Sequence, residues 1–599
     1  MTTSLLLLAV LALPSPSQLG GDVPDRTAGA EEPNSGRPSA ADAPASVSPS
    51  ETRTPDAGTT ERPGRPRLVV LLSVDQLIPD QLERLGPDLA GGLGRLLREG
   101  RSLPGAALPY ARTETGAGHT TLSTGCLPRT HGVVGNTFYE RSTRSERYCV
   151  EDPDAMEVSS LGIAEDRGRR SPVTLLAPTL AELVQRSLPG ARVCSISTKD
   201  RAAIGMAGRA DGTVLWWDKS RGTGFLSSNA YGDALPDFVD EWNAGWRPRG
   251  RAFVWTDTSP VGADADAAHA RWRSAPDERA GERPFGPSGV TFPYPVPARI
   301  KDTSLGGFLY GTPATDGYVL EVARRAVDVL ELGADDATDV LCLSFSATDI
   351  VGHANGPYSR EVTDVLFRLD RGLGALFALL DERVGRDGWI ASLTSDHGVL
   401  PLPEHVVALG GDARRVPRGD LKKMRRALAE FLELEFGHPV VLRSAPGGYS
   451  LDESALEEHG TDPVRARAAA AAELRTLAGA FDWIHTAYSY EEVGAFDPEA
   501  GGVEGRLARS FHPERTADVV FVAAPGALLG YSRGTTHGSP HDYDRGIPLL
   551  FYGPGADRVA PPEGRAPGSH DIVPTIVEWI ELDVDARFDG RSLLQSPPR

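Results

Sequence analysis

Four apolar runs, each ending in polar residues, constrain this chain more than any other feature. Residues 68–74 read Leu-Val-Val-Leu-Leu-Ser-Val and stop at Asp75. Residues 191–197 lead into Thr198, Lys199, Asp200 and Arg201, residues 339–345 into Ser346, Ala347, Thr348 and Asp349, and residues 389–394 into Ser395, Asp396 and His397. A near-continuous apolar run is what a strand buried on both faces requires. Between the runs, apolar residues recur at spacings of three and four, most clearly at Val362, Val365, Leu366, Leu369, Leu373, Leu376, Phe377 and Leu380. Helices are predicted on the same grounds over 178–188, 316–332 and 573–580. Strands alternating with helices predict an α/β protein, a three-layer α/β/α sandwich around a mostly parallel central sheet. Such sheets collect ligands at the carboxyl ends of their strands, so the polar endings are expected to meet on one edge.

The rest of the chain divides by composition. Residues 5–13 form an apolar stretch of signal-peptide length, too short to span a bilayer, which predicts an export signal over 1–20 and a periplasmic or secreted protein with no transmembrane helix in its mature form. Residues 21–66 are rich in Pro, Ala and Ser and poor in large apolar residues, so they are expected to be a disordered linker. The folded part is expected over 67–599. Stretches at about 138–171, 205–304 and 401–513 break the alternation and are predicted to be insertions that cap the site. The 599 residues carry a net charge of -20 at pH 7, which argues against a nucleic-acid scaffold. The four cysteines lack metal-site spacing; Cys126 and Cys149 share one loop-rich stretch and are a candidate disulfide, while Cys194 and Cys342 sit in apolar runs as expected buried thiols.

Chemistry concentrates in the stretch Arg112-Thr113-Glu114-Thr115-Gly116-Ala117-Gly118-His119-Thr120. Its glycines suit a tight turn into a helix whose free N–H groups favour an anion beside Thr115. A threonine hydroxyl becomes a useful nucleophile only when a base or metal ion stabilises its alkoxide. The strand ends supply ligands: Asp75, Asp349 with His353 four residues on, the adjacent pair Asp396 and His397, and His537 late in the chain. Three carboxylates and three imidazoles suit two zinc ions with mixed nitrogen and oxygen ligands, although another divalent metal is compatible with the same set.

From about residue 67 to 594 the chain resembles the alkaline phosphatase superfamily, and most closely the phosphate-irrepressible alkaline phosphatases of bacteria. The resemblance rests on Ser73-Val74-Asp75-Gln76, Thr113 to His119, His131-Gly132-Val133-Val134-Gly135-Asn136, Ser197-Thr198-Lys199-Asp200-Arg201, Ala347 to His353, Ser395-Asp396-His397-Gly398 and Gly534 to Ser539, in that family's order. It implies that Asp349, His353 and His537 hold one Zn2+, and that Asp75, Asp396 and His397 hold a second, which Thr115 also binds. It further implies that Thr115 attacks a phosphate monoester to give a phosphothreonine, with Asn136, Lys199 and Arg201 binding the phosphate oxygens. A Lys/Arg clamp favours a monoester dianion over a diester, which carries about one charge less.

Two other branches fit less well. The sequence Cys126-Leu127-Pro128-Arg129-Thr130 has threonine where a sulfatase motif needs arginine, and related mutases use serine as nucleophile, against Thr115 here. A phosphodiesterase or nucleotide pyrophosphatase remains the first alternative. A catalytically silent exported protein that binds metal or phosphate is an alternative of another class. His119 and His131 are expected to brace the nucleophile helix and the Asn136 loop, and His541, Asp542 and Asp544 to orient His537. Trp216 and Trp217 suit either packing or stacking on an aromatic leaving group. Oligomeric state and physiological substrate are left open by the sequence.

Overall fold

Every residue of the first run is buried, in strand β1 (Leu68–Val74). Its side chains alternate between two apolar clusters: Leu68, Val70, Leu72 and Val74 face one, Val69 and Leu71 the other. That alternation is why the run is apolar throughout, since both faces of the strand are covered. The computed structural model describes residues 64–262 and 264–595, so the expected export signal and nearly all of the linker lie outside the described residues. No helix among the described residues is long and apolar enough to cross a membrane.

The elements that frame the site are β2 (Arg101–Ser102), α1 (Thr115–Thr124), β3 (Thr137–Glu140), β4 (Ser145–Tyr148), β5 (Glu151–Ser159), β6 (Gly162–Arg170), β7 (Val193–Ser197), α2 (Asp200–Ala207), β8 (Thr213–Trp217), β9 (Phe225–Ser228), α3 (Ala314–Val329), β10 (Asp339–Phe345), α4 (Ala347–Asn355), α5 (Arg360–Arg383), β11 (Trp389–Thr394) and β12 (Leu549–Tyr552). Ten strands form one sheet in the order β2, β12, β11, β1, β10, β7, β8, β9, β5, β6. The central five, β11 to β8, run parallel; both flanks are antiparallel. Ser73 pairs in register with Ser344 and Thr394, so these strands end level and their following residues emerge side by side.

Helices α3 and α5 cover one face of the sheet; α1, with Leu180–Ser187 and Ile572–Trp579, covers the other. The spacing seen in the sequence explains α5: Val362, Val365, Leu366, Leu369, Leu373, Leu376, Phe377 and Leu380 are all buried on its inner face. Burying each contributes about 1.5–3 kcal/mol, and Leu373→Ala would cost about 2–5 kcal/mol by leaving a cavity. Ser359 caps the helix by accepting from the Val362 amide.

Three expectations need correction. Thr213–Trp217 lies within the stretch whose composition predicts a cap, yet it forms β8, the fifth parallel strand. Its apolar run is only four residues long, and the Trp, Gly and Pro around it hide the signal. Trp216 and Trp217 are 6% and 3% exposed, and Trp217 packs edge-on against Phe225, Trp242 and Trp246, so neither offers a platform for a leaving group. Cys126 and Cys149 are free thiols. Cys126 follows the last turn of α1, whereas Cys149 packs against Gly116 in its first turn. A helix of ten residues is about 15 Å long, beyond the reach of a disulfide. Cys194 and Cys342 are buried free thiols as expected.

Within 401–513 the chain builds much of a second core. A four-stranded antiparallel sheet, completed by Val519–Ala523, packs against helices Arg418–Phe436 and Pro463–Leu477. This unit touches the nucleophile turn directly: the Ser510 hydroxyl accepts from the Ala111 amide at 2.9 Å.

Candidate active site

Adjacent parallel strands deliver adjacent functional groups. β11 is followed by Asp396 and His397, β1 by Asp75, β10 by α4 with Asp349 and His353, and β7 by Lys199 and Arg201. The strand order 11, 1, 10, 7 is therefore the order of the groups across the sheet edge. Opposite them stands the first turn of α1, with Thr115 buried at its start. His537 arrives from a distant loop, fixed because its Nδ1 lies 2.7 Å from the Thr113 carbonyl.

Two trios bring ligand atoms within 4.8 Å of one another: Asp349, His353 and His537, and Asp75, Asp396 and His397. The three imidazoles share one arrangement. His353 Nδ1 lies 2.9 Å from the Thr535 carbonyl, His537 Nδ1 faces that of Thr113, and His397 Nδ1 lies 3.0 Å from that of Gly398. A carbonyl only accepts, so each Nδ1 carries a proton, and Nε2 is the nitrogen that is free for a metal when the ring is neutral. The Nε2 atoms face carboxylates: Nε2 of His353 and of His537 lie 3.2 and 3.5 Å from Asp349 Oδ1, and Nε2 of His397 lies 3.3 Å from Asp396 Oδ2.

Buried lone pairs facing buried carboxylates repel unless something positive lies between them. Asp75 Oδ1, Asp396 Oδ2 and His397 Nε2 are buried without a hydrogen-bond partner. Burial and the neighbouring Asp349 and Asp396 push the Asp75 carboxyl well above its usual range, with Lys199 opposing. Burial raises Asp349 too, but His353 and Lys199 outweigh it and hold that carboxyl well below. Burial also pushes the His397 ring down to about 3, which leaves it neutral. The donor set, three imidazoles whose Nε2 atoms face carboxylates, fits divalent cations.

The cations expected to clamp phosphate converge on the Thr115 hydroxyl. Lys199 Nζ lies 3.4 Å from Thr115 Oγ1 and also bridges the two trios, 2.5 Å from Asp75 Oδ2 and 2.6 Å from Asp349 Oδ2. Burial would discharge it, but Asp349 and Asp75 hold it charged above the usual lysine range. Arg201 donates from Nη2 to Thr115 Oγ1 at 3.2 Å. Asn136 Oδ1 accepts from the Gly116 amide at 2.8 Å, which leaves its NH2 group as the free donor beside the helix start. Gly116 is required here, because a Cβ would stand 2.8 Å from Cys149 Sγ.

His119 braces α1 as expected: Nδ1 lies 3.0 Å from the Thr115 carbonyl, and Nε2 lies 2.8 Å from the Ser344 hydroxyl. His131 Nε2 lies 3.0 Å from the Thr121 hydroxyl. Of the three residues expected to orient His537, only Asp544 supports that loop, by accepting from Ser539 at 2.9 and 2.6 Å. His541 instead bonds the Ala523 carbonyl, and the exposed Asp542 pairs with Arg545 at 2.6 Å.

Sequence reasoning missed Gln76, whose side chain donates to Asp349 Oδ1 at 2.7 Å and whose amide donates to Asp396 Oδ1 at 3.2 Å. It spans both trios from a strained position, with φ 68°. Its place directly after the strand-end Asp75, within the motif Ser73-Val74-Asp75-Gln76, is the signal that marks it. Glu114, just before α1, accepts from the Asn136 amide at 2.7 Å and was also unassigned. Tyr148 and Arg170, which back Arg201, stand in no recognisable motif.

Comparison with known proteins agrees with this architecture. The family model for type I phosphodiesterase / nucleotide pyrophosphatase matches residues 69–544. The chain is 29% identical over 540 residues to alkaline phosphatase PafA of Elizabethkingia meningoseptica, covering 89% of this chain and 94% of that protein. It is 30% identical over 538 residues to alkaline phosphatase PhoV of Synechococcus elongatus, covering 88% and 92%. The crystal structure of wild-type PafA matches with a TM-score of 0.76 at 28% identity, covering 88% of this chain and 98% of that one. The chain belongs to the type I phosphodiesterase / nucleotide pyrophosphatase family within the alkaline phosphatase superfamily, and it is a phosphoric ester hydrolase.

Proposed function

We propose that this protein hydrolyses phosphate monoesters through a phosphothreonine on Thr115 and releases inorganic phosphate. The observation that carries the reading is the convergence of Lys199 and Arg201 on one hydroxyl, 3.4 and 3.2 Å from Thr115 Oγ1, beside the free amide of Asn136. Two fixed cations and a neutral donor suit a phosphoryl group with three non-bridging oxygens and two negative charges. The alkaline phosphatase relatives support the same substrate class. So does the match to a PafA variant changed at a threonine, an asparagine, a lysine and an arginine, the four residue types that meet here.

Asp349, His353 and His537 would hold one divalent metal and Asp75, Asp396, His397 and Thr115 the other, two Zn2+ per chain. Bound there, the pair supplies Lewis acidity that favours both the threonine alkoxide and the departing oxygen. The chain supplies the rest. Thr115 Oγ1 gives up its proton to solvent and forms a bond to phosphorus as the bond to the leaving oxygen breaks, and that oxygen takes up a proton from solvent. Lys199, Arg201 and Asn136 hold the non-bridging oxygens as charge redistributes. The α1 backbone keeps Oγ1 fixed, since His119 ties the Thr115 carbonyl to β10. Water then attacks the phosphothreonine, which frees inorganic phosphate and restores the hydroxyl. The apolar run at residues 5–13 supports export, so the reaction is placed in the periplasm or outside the cell.

The test compares turnover of an aryl phosphate with that of its methyl diester by the zinc-loaded protein. Preference for the monoester is expected, and Lys199→Ala and Arg201→Ala should lower monoester turnover far more than diester turnover. Preference for the diester would overturn the reading in favour of phosphodiesterase activity. Fewer than about two metals per chain after zinc addition would favour a silent binding protein.

A further inference from the structure

We propose that Tyr148, backed by Asp200 and Arg170, is a positioning residue that aims Arg201 at the phosphate and so sets the preference for monoesters over diesters. This rests on the monoesterase reading above and extends it to residues outside the metal and phosphate shell.

The guanidinium of Arg201 is divided between two tasks. Nη2 donates to Thr115 Oγ1 at 3.2 Å, and Nη1 donates to the Tyr148 hydroxyl at 3.3 Å. Nε is buried without a partner. Tyr148 therefore occupies one end of the group and leaves the Nε and Nη2 edge for a ligand. That edge is the planar fork suited to two oxygens of one phosphoryl group.

The direction of the tyrosine proton is also fixed. Tyr148 donates to Asp200 Oδ1 at 2.6 Å, so its lone pairs, and not its proton, face Arg201. Asp200 is held in turn: Oδ2 accepts from Arg170 Nε at 2.8 Å, and Oδ1 accepts from the Arg201 amide at 2.8 Å. The Arg170 guanidinium lies 4.7 Å over the Tyr148 ring and clamps it from the other side. Burial would raise the Asp200 carboxyl, but Arg170 and Arg201 outweigh it and keep it ionised as the acceptor this chain of bonds needs.

Backbone pairing explains why a tyrosine at this position reaches the site. Thr137 pairs with Tyr148 across the β3–β4 hairpin, and the Cys149 amide donates to the Asn136 carbonyl at 2.9 Å. One short hairpin thus presents Asn136 at its start and Tyr148 at its end. It fixes one phosphate donor directly and a second through Arg201. A guanidinium free to swing would lose its fork geometry, and the loss would fall on the substrate with the most phosphate oxygens to bind.

A double-mutant cycle on the zinc-loaded full-length protein tests this. Tyr148→Phe should lower kcat/KM for an aryl phosphate roughly tenfold, the worth of a hydrogen bond to a charged group. Its effect on the methyl diester should stay within about twofold by the same reasoning, since the diester depends less on the fork. Inorganic phosphate binding, measured by calorimetry, should weaken in parallel. Asp200→Asn, which keeps the shape and removes the charge, should give the same pattern. In an Arg201→Ala background, Tyr148→Phe should cost nothing further. Equal losses on both esters, or additive losses in the double variant, would overturn the proposal. A wild-type preference for the diester would instead overturn the monoesterase reading, while non-additivity in phosphate binding would still support the coupling of Tyr148 to Arg201.

Discussion

Gly118→Ala is the sharpest test of how closely the helix that carries Thr115 is fitted to the proposed metal ligands. A Cβ at this position would stand 2.6 Å from Asp396 Cβ and 2.8 Å from the Asp396 carbonyl carbon, with the carbonyl oxygen nearer still. Carbon atoms rest in contact at about 3.5–4.0 Å, so α1 and the end of β11 must separate by about 1 Å. Neither side yields easily: Asp396 is fully buried, and the α1 glycine faces its backbone, not a mobile side chain. Overpacking of this kind costs about 1–3 kcal/mol, and alanine recovers about 1 kcal/mol of helix propensity, so the variant should fold. The shift opens the gap between Thr115 and the Asp75, Asp396, His397 trio, and misplacement by about 1 Å costs about a hundredfold in rate. The assay is kcat on an aryl phosphate at saturating zinc, with metal content and Tm measured on the same sample. Gly419→Ala, in a helix where a Cβ meets nothing within 4 Å, is the control and should leave kcat unchanged. A Gly118→Ala protein with both metals bound and kcat within about threefold of wild type would refute the reasoning.

Thr115→Ala should retain its metals, yet acid-quenched protein incubated with phosphate should show no phosphothreonine by mass spectrometry where wild type does. Removing metal with a chelator should abolish turnover and lower Tm, because the buried carboxylates of both trios then repel one another; re-added zinc should restore both. Burial pushes the Glu361 carboxyl from its ordinary 4.5 up to about 7, mainly opposed by the Tyr294 hydroxyl. A carboxyl raised in the folded state stabilises fully below about pH 4, and that contribution is lost as pH rises through about 7. Its ceiling is about 3 kcal/mol. Glu361→Gln should therefore show a smaller fall in urea stability between pH 5 and pH 9 than wild type, and equal falls would refute the assignment.

What the sequence made legible follows from which signals are local. A strand buried on both faces must be apolar along its whole length, so β1, β7, β10 and β11 announce themselves, and the residues that end them are the ones that leave the core. Asp75, Asp349, Asp396 and Lys199 were found on that ground. β8 was not, because its apolar run is too short to stand out beside Gly, Trp and Pro. Tyr148 and Arg170 are invisible for a different reason: hairpin pairing brings Tyr148 to Arg201, and a return along β6 brings Arg170 to Asp200, contacts that no spacing in the chain encodes. The pairing of Cys126 with Cys149 failed because closeness in sequence says nothing about the helix length between them.

The charge balance of the site joins its parts. Asp75, Asp349 and Asp396 are buried within one pocket, against Lys199 and Arg201 as the facing cations. The three carboxyls crowd one another, so without a metal the site meets a phosphate dianion with acidic groups facing it as well as cations. Lys199 meanwhile is spent on Asp75 and Asp349 and is only secondarily near Thr115. On the proposed reading, divalent cations held by Asp349, His353 and His537 and by Asp75, Asp396 and His397 would compete with Lys199 for Asp75 and Asp349, which would leave its charge available to phosphate. Arg201 has no carboxylate among the metal ligands to hold it; its side chain is tied to Tyr148 instead, so its fork is in place before metal or substrate arrives. The proposed clamp would then be prepared by different means, Lys199 through metal at Asp75 and Asp349 and Arg201 through Tyr148 on the hairpin. That predicts that metal content changes charge selection through Lys199, while the geometry of selection stays with Arg201.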